Sequence, residues 1–222
     1  MHAKNWALSR LGSTVAAAVL AVLTVSQVDA GTVLLGGGWQ AWWDNSLDPF
    51  VSLTNISVSP DGTTITLRKN ATFTQGPNAQ GIFPSIPISF QQVATSNVSS
   101  IVIDDEVVTN STGVAWSDFH FDLLLGGATF NAAASAGFNV APFTNKVFSL
   151  GNTALDIDGG IVANGAQWTP GAGANGGQLL TNVVSPGIGT TFTLKETPTP
   201  GPTALMVFAT GLLFFSTRRR IA

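Results

Sequence analysis

The sequence predicts an all-β fold, an antiparallel β-sandwich with a jelly-roll-like strand arrangement, flanked by an N-terminal signal helix and a C-terminal membrane helix. Short runs of alternating apolar and polar residues recur along the chain with turn residues between them, which is typical of half-buried strands. Charged residues make up only 9% of the chain, so amphipathic helices with charged faces are not predicted. The surface polarity must then come largely from Ser, Thr, Asn and Gln.

The first predicted strand pair is a hairpin. Residues 52–58 and 63–74 both alternate, and Pro60, Asp61 and Gly62 between them are turn residues. Further strands are predicted at residues 82–91, 100–109, 116–125, 146–150, 154–162 and 190–195. Pro84 and Pro87 should confine the segment 82–91 to a sheet edge or a loop, because proline cannot donate a hydrogen bond to a neighbouring strand.

The N-terminus has the pattern of a secretory signal peptide. A basic start precedes an apolar stretch at residues 15–25, and Val28 and Ala30 occupy the positions that signal peptidase recognises. We expect cleavage after Ala30, so that residues 1–30 are the signal peptide and Gly31 is the first mature residue. An uncleaved anchor helix is the alternative.

The C-terminus predicts a membrane helix at residues 203–222. The apolar part, residues 203–217, would extend roughly 22 Å as a helix, which is less than the ~30 Å of a hydrocarbon core. It would cross a membrane only with local thinning. The basic cluster that follows should stay on the cytoplasmic side and leave the rest of the chain outside; it consists of Arg218, Arg219 and Arg220.

This tail resembles the PEP-CTERM sorting tail of exported Gram-negative proteins. In that family a Pro-Glu-Pro motif precedes a short helix and a basic cluster ends the chain; here the motif is Pro198, Thr199 and Pro200, with threonine in place of glutamate. The resemblance implies a cell-surface anchor and processing by an exosortase-like protease, with release from the cell as one outcome. Residues 31–195 would then be the extracytoplasmic domain, and residues 196–202 the linker with the sorting motif.

The charge balance of the mature domain excludes some partners. Between residues 31 and 197 the basic residues are Arg68, Lys69, Lys146 and Lys195, against a clear excess of carboxylates. Nucleic acid and anionic lipid headgroups both need a basic face, so neither is expected to bind. The chain has no cysteine, so it has neither disulfides nor a thiol nucleophile.

Two groups of residues are candidate metal ligands. Asp118, His120 and Asp122 are spaced by two, so a strand would direct all three to one face, where they would bind a divalent metal or perform acid–base chemistry. The alternative is an ordinary solvent-facing strand surface. Asp156 and Asp158 precede two glycines and are candidates for a structural Ca²⁺ site, with an Asp-Gly turn as the alternative. No other cofactor is expected.

An aromatic cluster is the candidate ligand platform. Trp39, Trp42 and Trp43 lie close together beside Gln40 and Asp44, and aromatic rings next to amide and carboxylate groups are suited to sugars. Packing in the core is the alternative. Because neighbours in a strand point to opposite sides, Trp42 and Trp43 cannot share a face, and at least one ring should lie away from the main core.

The resemblance implies a setting in the cell envelope or the exopolysaccharide matrix, where we expect a structural or adhesive protein. Its partners would be signal peptidase, the exosortase-like protease, the membrane and exopolysaccharide. The alternative is a carbohydrate- or cation-binding module that uses the tryptophan platform. No catalytic residue is singled out, because the sequence lacks the G-x-S-x-G and H-E-x-x-H motifs. A hydrolase stays open only because a glycosidase needs no more than two carboxylates.

Overall fold

The computed structural model describes residues 31–171 and 176–201, which form an all-β domain. The predicted signal peptide at residues 1–30 and the predicted helix at residues 203–222 lie outside the described residues. Within the described part, no helix is long and apolar enough to cross a membrane. Its strands are β1 (Gly31–Gly36), β2 (Trp39–Trp43), β3 (Val51–Val58), β4 (Thr64–Phe73), β5 (Ile86–Gln92), β6 (Ser100–Asn110), β7 (Trp116–Leu124), β8 (Ala128–Phe130), β9 (Asn145–Ser149), β10 (Ala154–Asp158), β11 (Gln167–Trp168), β12 (Leu179–Val183) and β13 (Thr191–Pro200), with a 3-10 helix at Asn45–Leu47.

The strands form two sheets. The seven-stranded sheet has the order β1-β2-β5-β13-β7-β10-β9, and the six-stranded sheet has the order β3-β4-β6-β12-β8, with β11 added to β6. The pairing is antiparallel except between β4 and β6, which are parallel. The expectation of purely antiparallel sheets is therefore wrong at this pair. The chain leaves β4, runs through β5 in the other sheet, and returns, so β6 has the direction of β4.

An aromatic cluster fills the space between the sheets. Phe119 of β7 lies 5.7 Å from Phe73 of β4 and 4.8 Å from Trp168 of β11, measured between ring centroids. Phe119 therefore contacts rings that belong to the other sheet. All three rings are buried. Aromatic contacts of this kind add to the burial of apolar surface, so they hold the two sheets face to face.

The predicted β3–β4 hairpin is confirmed. Val51–Val58 pairs antiparallel with Thr64–Phe73. Asp61 accepts hydrogen bonds from the backbone and hydroxyl of Thr63, and Gly62 adopts a positive φ of 72°. The turn residues therefore act as predicted.

The structure corrects the prediction that the proline-containing segment lies at an edge or in a loop. β5 lies inside the seven-stranded sheet, between β2 and β13. Pro87 is tolerated because the pairing with β2 ends at Ser89, so one side of β5 is open at Pro87. Proline lacks an N–H, and an open side is where that group is not needed.

β13 extends beyond the predicted strand and beyond the predicted domain boundary at residue 195. Its pairing with β5 ends at Glu196, but its pairing with β7 continues to Pro200. Residues 196–200 therefore belong to the sheet and not to the 196–202 linker. Pro198 and Pro200 fit here for the same reason as Pro87, because β13 has a neighbour on one side only.

Candidate functional site

The three tryptophans of the predicted platform do not share a face. Trp39 and Trp43 of β2 are 1% and 6% exposed and point into the core, whereas Trp42 points to the outer side of the sheet and is partly exposed. The indole of Trp43 also donates a hydrogen bond to Asp48, at 2.9 Å. A platform made of all three rings is therefore wrong, because alternate residues of a strand face opposite sides. The expectation that at least one ring lies away from the core is confirmed by Trp42.

Trp42 belongs to a polar surface that we call the Trp42 face. It lies on the outer side of β2, β5 and β13, where Trp42 pairs with Ser89 and Ser89 pairs with Thr193. The Ser89 and Thr193 hydroxyls are 2.9 Å apart. The face consists of Gln40, Trp42, Ser89, Gln91, Thr191 and Thr193, none of which is charged.

Side-chain hydrogen bonds order the second row of the Trp42 face. Gln40 pairs with Gln91, and Gln91 with Thr191. The Gln40 amide donates to the Gln91 side-chain oxygen at 3.2 Å, and the Thr191 hydroxyl donates to the carbonyl of Phe90 at 2.9 Å. Amides and hydroxyls about 5 Å apart across the strands therefore lie beside the Trp42 indole on the β5 side.

His120 and its flanking carboxylates share the outer side of β7, as their spacing predicted. The structure does not gather them into one cluster, however. His120 bonds to Asp156 of β10 at 2.8 Å and to the hydroxyl of Thr199 at 3.0 Å, and Asp122 forms an ion pair with Lys195 at 3.0 Å. Residues spaced by two along a strand are about 7 Å apart, so groups on neighbouring strands lie closer than groups on the same strand.

Of the two candidate metal groups, the structure brings together only His120 and Asp156. Asp118 lines an open depression next to Gly159, and Asp158 accepts a hydrogen bond from Asn145 at 2.6 Å. Gly159 has a positive φ of 76°, which is the predicted Asp-Gly turn. Among residues 31–171 and 176–201, no group of three or more His, Asp or Glu side chains is arranged to hold a metal ion. The structural Ca²⁺ site stays a prediction.

A buried charge cluster is the feature that sequence reasoning missed. Lys69 of β4, Glu106 of β6 and Glu196 of β13 are each 0% exposed, and we call them the buried triad. The Lys69 ammonium donates to Glu196 Oε2 at 2.6 Å and is in ion-pair contact with Glu106 Oε1. The triad joins the two sheets, because β4 and β6 belong to one sheet and β13 to the other.

The surroundings of the triad are apolar. Leu53 is the register partner of Lys69, while Ile86 and Phe121 are the register partners of Glu196. All three partners are buried. An unshielded charge in such a place is very costly, so the protonation states of the triad depend on one another.

Burial and mutual charge shift the pKa values of the triad. Burial raises the pKa of Glu196 to about 8, with a further contribution from the charge of Glu106, against the opposing effect of Lys69. Burial also raises the pKa of Glu106 above its ordinary value, although Lys69 opposes this. Burial alone would lower the pKa of Lys69, but the two carboxyl groups outweigh it and the pKa lies above its ordinary value. A pKa of about 8 favours a protonated Glu196 at neutral pH, and the raised pKa of Lys69 favours its ammonium form.

The hydrogen bonding of the triad is incomplete. Among the described residues, three carboxyl oxygens of the triad have no hydrogen-bonding partner: both oxygens of Glu106 and Oε1 of Glu196. Lys69 touches Glu106, but not at hydrogen-bonding angles. Close approach without good angles gives electrostatic attraction but less than a full hydrogen bond. Unsatisfied polar atoms in a core cost roughly 1–3 kcal/mol each, so the unpaired oxygens make the triad costly to bury.

The predicted sorting motif lies in the sheet and not in an exposed linker. Pro198 pairs with Phe119, Thr199 with Asp118 and Pro200 with Trp116, all at the end of β13. The candidate recognition residues of the motif are thus hydrogen-bonded strand residues in this state. The other part of the predicted motif, Arg218, Arg219 and Arg220, lies outside the described residues.

Comparison of the chain with protein-family models, with curated proteins and with solved structures returned no match.

Proposed function

We propose that this chain is an exported, surface-anchored structural or adhesive protein of the cell envelope or the exopolysaccharide matrix, and that it contacts polysaccharide through the Trp42 face. In this proposal the two packed sheets form a β-sandwich that presents the Trp42 face outward. The jelly-roll-like strand arrangement and the flanking signal and membrane helices belong to the same proposal.

The observation that carries the proposal is the composition of the Trp42 face. A partly exposed indole lies beside amides and hydroxyls that already order one another. Sugar rings present apolar C–H faces and hydroxyl edges, which an aromatic ring and neighbouring amides can both contact. The absence of charge on these six residues favours a neutral or weakly charged polysaccharide over an ionic ligand.

The position of Gly31 is compatible with the export part of the proposal. Gly31 is the first described residue and pairs with Trp43. Cleavage after Ala30 would therefore remove no residue of the described strands. At the other end, an exosortase-like protease that recognises Pro198 to Pro200 would need the end of β13 to separate from β7. This separation breaks pairing on one side only, because β5 no longer pairs there.

Affinity electrophoresis of the purified chain in mild detergent tests the contact. The gel contains exopolysaccharide prepared from the cells that make the protein, and dextran serves as the neutral comparison. We expect the matrix polysaccharide to retard the wild-type chain and Trp42→Ala to abolish the retardation.

Val147→Ala is the matched control, because Val147 is 56% exposed on β9, on the same sheet but far along it from β2. It should migrate like the wild type. Equal retardation of the wild type and Trp42→Ala would remove the Trp42 face as the contact surface.

A further inference from the structure

The buried triad brings an amine and two carboxyl groups into contact where bulk water is excluded. We propose that Lys69 and Glu196 condense into an intramolecular amide bond, with Glu106 transferring the protons. The bond would join Nζ of Lys69 to Cδ of Glu196 and release one water molecule. This inference does not depend on the proposed function.

The geometry fulfils the first requirement, which is the proximity of the reacting groups. Nζ of Lys69 lies 2.6 Å from Oε2 of Glu196, so the amine is next to the carbonyl carbon that it would attack. β4 and β13 lie in different sheets, and the packing of both sheets fixes the two side chains against each other. Groups held at contact distance react as if they were extremely concentrated.

Burial supplies the second requirement, a driving force for condensation. All three side chains are 0% exposed, and their register partners Leu53, Ile86 and Phe121 are apolar. An ammonium and a carboxylate are costly in such surroundings, whereas an amide and a protonated carboxyl carry no net charge. Among the described residues, Oε1 of Glu196 has no hydrogen-bonding partner. Condensation expels one of the two Glu196 oxygens as water, so fewer polar atoms stay buried in the triad.

The protonation of the two carboxyl groups assigns their roles. Glu196 holds a proton at neutral pH, because burial raises its pKa to about 8. A protonated carboxyl is an electrophile whose hydroxyl can leave as water, while a carboxylate resists attack. Glu106, in direct contact with the Lys69 ammonium, is the group that accepts its proton.

The step balances within the triad. The Lys69 ammonium first gives a proton to the Glu106 carboxylate, which leaves a neutral amine and two neutral carboxyl groups. The Nζ lone pair then attacks Cδ of Glu196 and forms the C–N bond. Glu106 donates its proton to the departing hydroxyl and takes one from the new N–H₂ group. The products are an amide, a protonated Glu106 and water, with no change in oxidation state or net charge.

The intact mass of the purified chain tests the proposal. We expect the denatured wild-type protein to be lighter by the mass of one water than the sequence between its own chemically determined ends. After digestion with trypsin, fragment spectra should show a branched peptide joining Lys69 to Glu196, with no cut after Lys69. A folded wild-type chain at full mass overturns the proposal, and a branch at Glu106 overturns the assignment of the acceptor.

Variants separate the roles of the three residues. Lys69→Met, Glu196→Ala and Glu106→Ala should each have the full mass, since each lacks the nucleophile, the acceptor or the proton carrier. Glu196→Gln offers a sharper control, because a glutamine acceptor would release ammonia and give a different mass loss. A water loss that persists in Glu196→Ala would contradict the proposal. Because the wild-type mass alone is decisive, a variant that fails to fold does not prevent the test.

Discussion

Replacement of Trp39 by alanine should destabilise the folded chain far more than replacement of Trp42, although both lie in β2. Trp39 is 1% exposed, and its ring lies 6.2 Å from that of Phe192. Truncation of a large aromatic side chain in a core costs about 3–5 kcal/mol. The indole N–H of Trp39 has no partner among the described residues, and its removal regains part of that cost, so we expect a loss near 3 kcal/mol.

Trp42 gives a contrasting expectation. Its ring is partly exposed on the outer side of the sheet, so Trp42→Ala should cost about 1 kcal/mol or less. Trp39→Phe is the matched control, because it retains an aromatic ring and removes the unpaired N–H. It should cost clearly less than Trp39→Ala.

Urea unfolding of the three variants measures these differences. The transition midpoint should fall most for Trp39→Ala and less for Trp39→Phe and Trp42→Ala. The slope of the unfolding free energy against urea concentration should stay constant. If Trp42→Ala destabilises the chain as much as Trp39→Ala, the outward orientation of Trp42 is wrong, and with it the argument for a contact surface.

Four further expectations concern the two termini, His120 and the buried triad. N-terminal sequencing of the exported protein should begin at Gly31, and an intact Met1 would contradict the predicted cleavage. Replacement of the arginines at 218–220 by neutral residues should increase the protein released into the medium, whereas unchanged fractionation would argue against an anchor. His120→Ala should lower the free energy of unfolding by about 1 kcal/mol, the net value of the hydrogen bonds it loses. Stoichiometric Zn²⁺ in the wild type that is absent from this variant would instead indicate a metal site. Any chain without the Lys69–Glu196 amide should lose stability as the pH rises from 4.5 towards about 8, because folded Glu196 retains a proton that the unfolded chain releases. Hydrogen exchange, read separately for the chains with and without the water loss, measures this stability. A stability that rises over this range would contradict the expectation.

Alternation of apolar and polar residues was sufficient to predict the strands that follow one register throughout. In β7 the alternation holds from Asp118 to Leu123, where Phe119 and Phe121 are buried and His120 lies on the opposite side; it fails at Trp116, next to a register shift. The β3–β4 hairpin was predictable because its turn chemistry is local. The same alternation in β2 correctly separates Trp42 from Trp43.

The buried triad was harder to find because a β-bulge hides one of its members. In β4, Lys69 continues the buried series of Leu67 and Ala71, so its inward position was visible in the sequence. In β6, the register shifts opposite Leu67 and Arg68, so that Glu106 points inward, where uninterrupted alternation from Ile103 would place Asp105. A bulge reverses the facing of every later residue in its strand, and no local sequence signal marks this one.

The strand positions of the prolines depend on pairing that the sequence does not contain. Pro87 and Pro198 are compatible with inner strands because one neighbouring strand ends before each of them. Such an open side is a property of strand lengths in the assembled sheet. For the same reason, the end of β13 could not be distinguished from a linker in the sequence.

The distribution of the protein in the cells that make it tests whether the Trp42 face holds the chain to the exopolysaccharide. The exopolysaccharide is sheared from the cells and washed with mild detergent, so that a membrane helix cannot retain the chain. If the Trp42 face is the contact, we expect wild-type protein beginning at Gly31 to stay with the polysaccharide and folded Trp42→Ala to wash away. Wild-type protein confined to the cytoplasm, or equal retention of Trp42→Ala, would contradict it.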